Sequence, residues 1–342
     1  MLKHIPFSRL LPLLLLFYFW AASAATEGRF FGARETVYPD WFKESFLDIR
    51  EDVAEATAAG RRVLLFFHQN GCPYCNLMVE RNLSQRDIEE RMRREFDVIG
   101  VNMWGDRAVT DMAGEELTEK GFAAALRVQF TPTLLFLDES GQAILRLNGY
   151  IPPATFALAL EYVGGRHEQQ TAYRDFLASR QVAAAADGQL HSQPFFIAGP
   201  HDLSLVQEPL AIFFEQRDCP ACGRMHRELL SDPEISDLVS RTHAIQLDMW
   251  AATPIITPDG ARTTAREWAR ALSINYAPSV VLFDPQTGEV IRSEAFFKQF
   301  HTAAIFDYLL SGAYKTEPSF QRYLSARAEH IRAQGKDVDI WR

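Results

Sequence analysis

Two short, unbroken apolar runs stand out from an otherwise mixed pattern, residues 63–67 (VLLFF) and 210–214 (LAIFF). Five apolar residues without polar alternation have the length and composition of a strand buried on both faces. Both runs lead into the same succession of elements. A Cys-Pro-x-Cys motif opens a helix, and a second helix comes next, at 87–95 and 233–240, the latter with Asp232 as N-cap and Pro233 in its first turn. Strands are expected at 98–102 and 244–248, then a loop and a helix ending near Val128 and Ile274. The runs 133–137 with 143–147, and 279–283 with 289–292, turn through Ser140-Gly141 and Thr287-Gly288 and read as hairpins. One or two closing helices complete each unit. Ahead of the first run, residues 41–59 carry Phe42, Phe46, Ile49 and Val53 three and four apart, which predicts a helix stopped at Gly60. The second unit has only a short counterpart.

The parallel is a repeat in residue identity as well as in pattern. Cys72-Pro73-Tyr74-Cys75 returns 147 residues later as Cys219-Pro220-Ala221-Cys222, and Asn102-Met103-Trp104 returns as Asp248-Met249-Trp250. Thr131-Pro132-Thr133 returns as Ala277-Pro278-Ser279, and YRDFLASR from Tyr173 as FQRYLSAR from Phe320. A period this long marks a duplicated domain and not a solenoid. Strands alternating with helices and ending in a hairpin imply an α/β fold: two tandem domains, each a mixed sheet with helices on both faces. The domains are expected at 25–180 and 200–342, joined by a linker at 181–199 that contains Asp187-Gly188 and Pro194 as breakers.

The first residues change the picture of location. Lys3 and Arg9 precede an apolar run over 10–20 and then Ala22-Ser23-Ala24, which reads as a cleaved signal peptide at 1–24. The run is shorter than the roughly 20 apolar residues that span a bilayer. A periplasmic or secreted protein is expected. The formal net charge of −9 argues against nucleic acid as a partner, since phosphate binding needs clustered Lys and Arg. All four cysteines lie in the two motifs, so none stands near the cleavage point to carry a lipid.

A strand running into Cys-Pro-x-Cys at a helix start, followed by an x-Pro step that leads a hairpin, resembles the thioredoxin superfamily. Residues 128–149 resemble the half of that fold that carries its cis-proline. With FFHQNGCPYCNLM, FFEQRDCPACGRMH, the Thr-Pro-Thr step and the N/D-x-W element, the chain is similar to secreted thioredoxin-related proteins of the SoxW type. The resemblance implies that Pro132 and Pro278 are cis, and that Thr131 and Ala277 offer backbone to an extended substrate. It also implies a thiol-disulfide oxidoreductase acting on exported thiol or disulfide proteins, with a membrane thiol-reductant transporter as electron source. Two features depart from the pattern. Thioredoxin carries a buried acid six residues before its first cysteine, where this chain has Phe66 and Phe213. Glutaredoxins share Cys-Pro-Tyr-Cys, but the long units and the helix ahead of the first strand fit them poorly.

The residues themselves suit that chemistry. Exchange needs an attacking thiolate and a second thiol to resolve the mixed disulfide. Cys72 and Cys219, at helix starts, are the expected nucleophiles, because unpaired amides and the helix dipole favour the anion. Cys75 and Cys222, one turn on, are the resolving partners, and Pro73 and Pro220 fit the first helical turn. No cofactor is expected beyond the redox-active disulfides. Reduction is preferred, while oxidation and isomerisation stay open, as does a division in which one unit is catalytic and the other binds substrate. Structural zinc is disfavoured because Cys75 and Cys219 are 144 residues apart, against about 15 to 20 in zinc ribbons. Inert structural disulfides are disfavoured by the helix-start placement. A Cu(I)-handling alternative would add Met78, Met225 and His226 to the cysteines, although methionines at helical spacing are more often core. His68 reads as a strand-end residue, and Trp104 and Trp250 as ordinary packing. Finally, Asp218 and Glu215 flank Cys219 where Gly71 and His68 stand beside Cys72, so Cys72 is expected to have the lower pKa.

Overall fold

The computed structural model describes residues 27–180, 189–295 and 297–342. The expected signal peptide lies outside the described residues. Each unit is built on a four-stranded mixed sheet. In the first unit the order across the sheet is Phe96–Asn102, Arg62–His68, Thr133–Leu137, Ala143–Asn148. The second repeats it with His243–Asp248, Leu210–Glu215, Ser279–Asp284, Gly288–Ser293. The first pair is parallel and the other two are antiparallel.

The unbroken apolar runs become the inner strands because both of their faces are covered. Alternate side chains point to opposite sides. Leu64 and Phe66 join a core with Phe136, Phe156 and Leu160. Val63, Leu65 and Phe67 join another with Ile49, Val53 and Phe122. Phe213 and Phe214 divide in the same way in the second unit. Each fully buried Phe contributes roughly 1.5–3 kcal/mol of transfer free energy.

The helix expected over 41–59 is shorter than its periodicity suggests, running Ile49–Ala58. Leu47 takes a left-handed φ of 65°, and Asp48 caps the helix by accepting from the Arg50 and Glu51 amides. The chain before that cap lies along the sheet edge instead, where the Lys43 amide donates to Val98 O at 2.8 Å. Phe46 points wholly to solvent, and Phe42 packs against Phe66. Residues 189–199, read from the sequence as linker, do the same on the second unit. The Ile197 amide donates to Ala244 O at 2.9 Å, and Phe196 packs against Phe213. The positions that stand in place of a buried acid are therefore covered by aromatic rings in both units. Small hairpins, Ala108–Thr110 with Glu116–Thr118 and Pro254–Ile256 with Arg262–Thr264, precede the helices Glu119–Ala125 and Ala265–Ala271. They are too short for a periodicity to reveal.

The two units meet about a local two-fold relation. Asn148 and Glu294 are equivalent in the repeat and hydrogen-bond to each other at 2.7 Å. Gly149 lies against its own equivalent, Ala295: a Cβ on Gly149 would fall 2.7 Å from the Ala295 Cβ. A self-complementary contact of this kind is what a symmetric dimer makes, here within one chain. The repeated closing helices each pack on their own unit and also reach the other: Tyr173, Phe176 and Leu177 belong to the first unit's core, and Phe320 and Tyr323 pack against Tyr308 of the second. From Tyr173–Arg180, Arg174 crosses to the second unit, where it donates to Met249 O at 2.6 Å and lies over the Trp250 ring at 4.3 Å. From Phe320–Ala333, Gln321 Nε2 crosses to donate to Gln129 O of the first unit at 3.0 Å, and Arg322 lies over Trp104 at 5.6 Å. The chain ends also pair, Phe30–Phe31 with Val338–Asp339.

Candidate active site: two cysteine pairs in unequal clefts

Each cysteine motif sits where an inner strand ends and a helix begins. Pro73 and Pro220 occupy the first helical turn, and Cys72 and Cys219 are the N-caps. Cys72 Sγ accepts the Cys75 backbone N–H at 3.0 Å, and Cys219 Sγ accepts that of Cys222 at 3.0 Å. The Cα atoms of each pair are 5.3 and 5.1 Å apart, and both pairs are disulfide-bonded. Amide donors aimed at the first sulfur are what lowers a thiol pKa once the bond is reduced.

The peptide bonds Thr131–Pro132 and Ala277–Pro278 are cis, and each loop lies against its disulfide. Cys72 Sγ is 3.4 Å from Thr131 O and accepts the Thr131 hydroxyl at 3.3 Å. Cys219 Sγ is 3.9 Å from Ala277 O, and Ala277 has no hydroxyl to add. Trp104 and Trp250 do more than fill space. Each indole N–H donates to a glutamine just ahead of the motif, Trp104 to Gln69 at 2.7 Å and Trp250 to Gln216 at 3.0 Å. Gln69 passes the contact on to Gln321 of the second unit at 2.9 Å.

Both motifs open into clefts between the units, and the clefts differ in size. The Cys219 cleft holds about 870 Å³, and the Cys72 cleft about 380 Å³. The repeat supplies the cause. Ala221 in the second motif is replaced by Tyr74 in the first. Across the cleft, Ile151 and Thr155 of the first unit face Cys219, and their equivalents Phe297 and His301 of the second unit face Cys72. Tyr74 is driven into the second unit. Its ring meets Phe297, His301 and Trp341 edge-on at 5.4, 5.1 and 5.1 Å, and its hydroxyl accepts the Lys298 amide at 2.8 Å. Burial pushes the Tyr74 phenol well above its usual pKa. Cys72, Tyr74, Cys75 and Phe130 thereby belong to the hydrophobic core of the second unit.

The charges differ as well. Arg217, Asp218, Arg224, Glu228, Asp248, Glu294 and Lys298 line the Cys219 cleft, whereas no Asp, Glu, Lys or Arg lines the Cys72 cleft among the described residues. Glu215, expected to act on Cys219 as a flanking anion, is fully buried and hydrogen-bonds His226 Nε2 at 2.9 Å. Glu215 does not line the Cys219 cleft, while Asp218 does. Met78 and Met225 are packed in the two cores. The sequence reading missed His301, Phe297 and Phe130 at site one, and Ile151 and Thr155 at site two. Tyr74 against Ala221 was the one local signal that the clefts would differ.

The model of the thioredoxin-like domain matches the chain twice, over residues 49–164 and 203–309. No curated protein matches it. Among solved structures, a thioredoxin-fold protein from Helicobacter pylori is 25% identical over 40% of this chain and 91% of its own, with a TM-score of 0.31. A thioredoxin from Thermus thermophilus is 27% identical over 40% of this chain and 87% of its own, with a TM-score of 0.28. The reduced C-terminal domain of Neisseria meningitidis DsbD is 20% identical over 33% of this chain and 90% of its own, with a TM-score of 0.24.

Proposed function

Because this chain belongs to the thioredoxin-like domain family, we propose that it is an exported dithiol-disulfide oxidoreductase of the SoxW type that reduces disulfides of periplasmic or secreted proteins or sulfur compounds. One observation carries the reading: in each unit a cysteine sulfur caps a helix, accepts its partner's amide and lies against the residue before a cis-proline. In the reduced protein the first thiolate attacks a substrate disulfide, forming a mixed disulfide and releasing one substrate thiolate. The second cysteine then attacks the first sulfur, releases the other substrate thiol and restores the protein disulfide. A dithiol donor, here a membrane thiol transporter, returns the two electrons.

The wider cleft makes Cys219–Cys222 the pair that meets protein substrates, with Ile151 and Tyr74 of the first unit forming its far wall. The test is turnover of insulin disulfides with dithiothreitol as donor, together with both disulfide potentials in dithiothreitol or glutathione buffers. Catalysed reduction with reversible potentials supports the reading. Tight stoichiometric Cu(I) binding under anaerobic conditions without insulin turnover would replace it by copper handling. Potentials near the oxidising end of the family's range, about −120 mV, would reverse the direction.

A further inference from the structure

The Cys72 cleft poses a charge problem. Reducing its disulfide creates a thiolate in a small space walled by Phe130, Phe297 and Phe300, with no charged side chain lining it among the described residues. The Cys75 amide and the Thr131 hydroxyl are two donors for that sulfur. A buried anion without a countercharge tends to take up a proton instead. Of the described residues that line the cleft, three can titrate: Cys72, Tyr74 and His301. His301 comes from the opposite unit, in the first turn of the helix Gln299–Leu310. Its ring is buried and stacks with Phe297, and Nδ1 has no hydrogen-bond partner among the described residues. Site two differs, with Thr155 at the equivalent place and both cations (Arg217, Arg224, Lys298) and carboxylates (Asp218, Glu228, Asp248, Glu294) lining its cleft.

We propose that His301, supplied by the second unit, is the proton partner of Cys72, holding as imidazolium the proton that would otherwise sit on the Cys72 sulfur. This rests on the reading of the chain as a dithiol-disulfide oxidoreductase. The step balances with a dithiol as reductant. The donor's two thiols become its disulfide and give up two electrons and two protons. The Cys72–Cys75 bond breaks, one proton goes to the Cys75 sulfur, and the other to His301, which lines the same cleft as the Cys72 thiolate. Re-formation of the disulfide returns both protons to the substrate's thiols.

With the disulfide closed, burial holds the His301 imidazole down at a pKa of about 4, neutral at physiological pH. A thiolate arriving in the same cleft reverses that preference, since an opposite charge nearby favours the protonated ring. Among the described residues, the surrounding groups do not supply a substitute. Tyr74 meets the ring edge-on and keeps its proton. On neighbouring elements, the Lys298 ammonium lies over the Trp341 ring at 5.7 Å, and Arg327 lies over Phe300 at 5.5 Å while paired with Asp307 and Glu234. Neither Lys298 nor Arg327 lines the cleft.

The test needs no variant at first. Imidazole NMR of the full chain is titrated in its oxidised and its dithiothreitol-reduced forms. His301 is expected to stay neutral from pH 5 to 8 when oxidised and to hold its proton through neutral pH when reduced. An unchanged His301 titration overturns the proposal. Alkylation of the reduced chain by iodoacetamide against pH, read by peptide mass spectrometry, supplies the second arm. His301→Asn is expected to slow Cys72 alkylation about tenfold near pH 6, one unit in midpoint, and to leave Cys219 unchanged. Equal midpoints with and without His301 also overturn it. If insulin turnover persists while both arms are flat, only the role of His301 fails. If the Cys72–Cys75 bond cannot be cycled by dithiothreitol at all, the oxidoreductase reading of site one fails and takes the proposal with it.

Discussion

Around Cys219 the walls are Ala221, Ile151 and Thr155, and around Cys72 the same places hold Tyr74, Phe297 and His301. The strands, the N-capping sulfurs and the cis-prolines are common to both. Three exchanges of small for large side chains leave one cysteine pair in a cleft of about 870 Å³ and the other in about 380 Å³. A duplicated site can thus change its access while its reactive centre stays the same. Each unit's cleft is completed by the other, so a substitution in one unit alters the surroundings of the cysteine in its partner.

The largest expected effect tests which pair meets protein substrates. Cys219→Ser should cut insulin turnover by on the order of a thousandfold, since the two cysteines of a pair act as one device. Cys72→Ser should cost far less, and equal losses in steady-state assays would erase the distinction drawn from cleft size. Next comes the wall itself. Tyr74→Ala removes a buried ring and its hydrogen bond to the Lys298 amide. It is expected to destabilise the chain by about 3–5 kcal/mol in denaturant titrations and to speed alkylation of Cys72. The mirror change, Ala221→Tyr, should slow alkylation of Cys219. If Cys72 reacts no faster in the first variant, access is not what separates the two sites.

A smaller effect is expected where the units touch. Gly149 has a φ of 82° and faces the Ala295 Cβ across the interface. Gly149→Ala combines backbone strain with overpacking and should destabilise by roughly 1–3 kcal/mol, bringing the reactivities of the two sites closer as the units separate. A thermal midpoint equal to that of the parent would show that the contact is loose.

The smallest effect concerns Glu294, opposite Asn148. Burial raises its carboxyl above the ordinary value of 4.5, with Arg292 opposing at 3.5 Å. An acid with a raised folded pKa binds more protons in the folded chain. Its contribution is therefore full at low pH and lost as pH climbs from about the ordinary carboxylate range through the folded value. Glu294→Gln should remove that loss, flattening the slope of stability against pH above 4.5 and raising stability at neutral pH by up to about 1 kcal/mol. Urea midpoints measured across that range would show it, and an unchanged slope would mean the carboxylate is already satisfied.

Much of this molecule is local in origin. Apolar runs of five, prolines behind cysteines, Asp232 ahead of Pro233 and Gly-marked turns each act within a few residues, so the inner strands, the cysteine helices and both hairpins were legible in sequence. The helix expected from residue 41 failed where a longer-range contact won: edge pairing of Lys43 with Val98 holds the chain extended until Asp48 caps a later start. The repeat announced two domains. It did not say that YRDFLASR and FQRYLSAR would each also reach the opposite unit through Arg174, Gln321 and Arg322, because periodicity records which face is apolar and not which surface covers the rest. The paired cysteine chemistry and the sheets that present it were written in the order of residues. That Tyr74 enters the second core, that His301 stands in the cleft of Cys72, and that Cys219 keeps the larger opening emerged only on folding. Those contacts join residues far apart in the chain, and their partners are selected by packing volume and burial, which no short window of sequence contains.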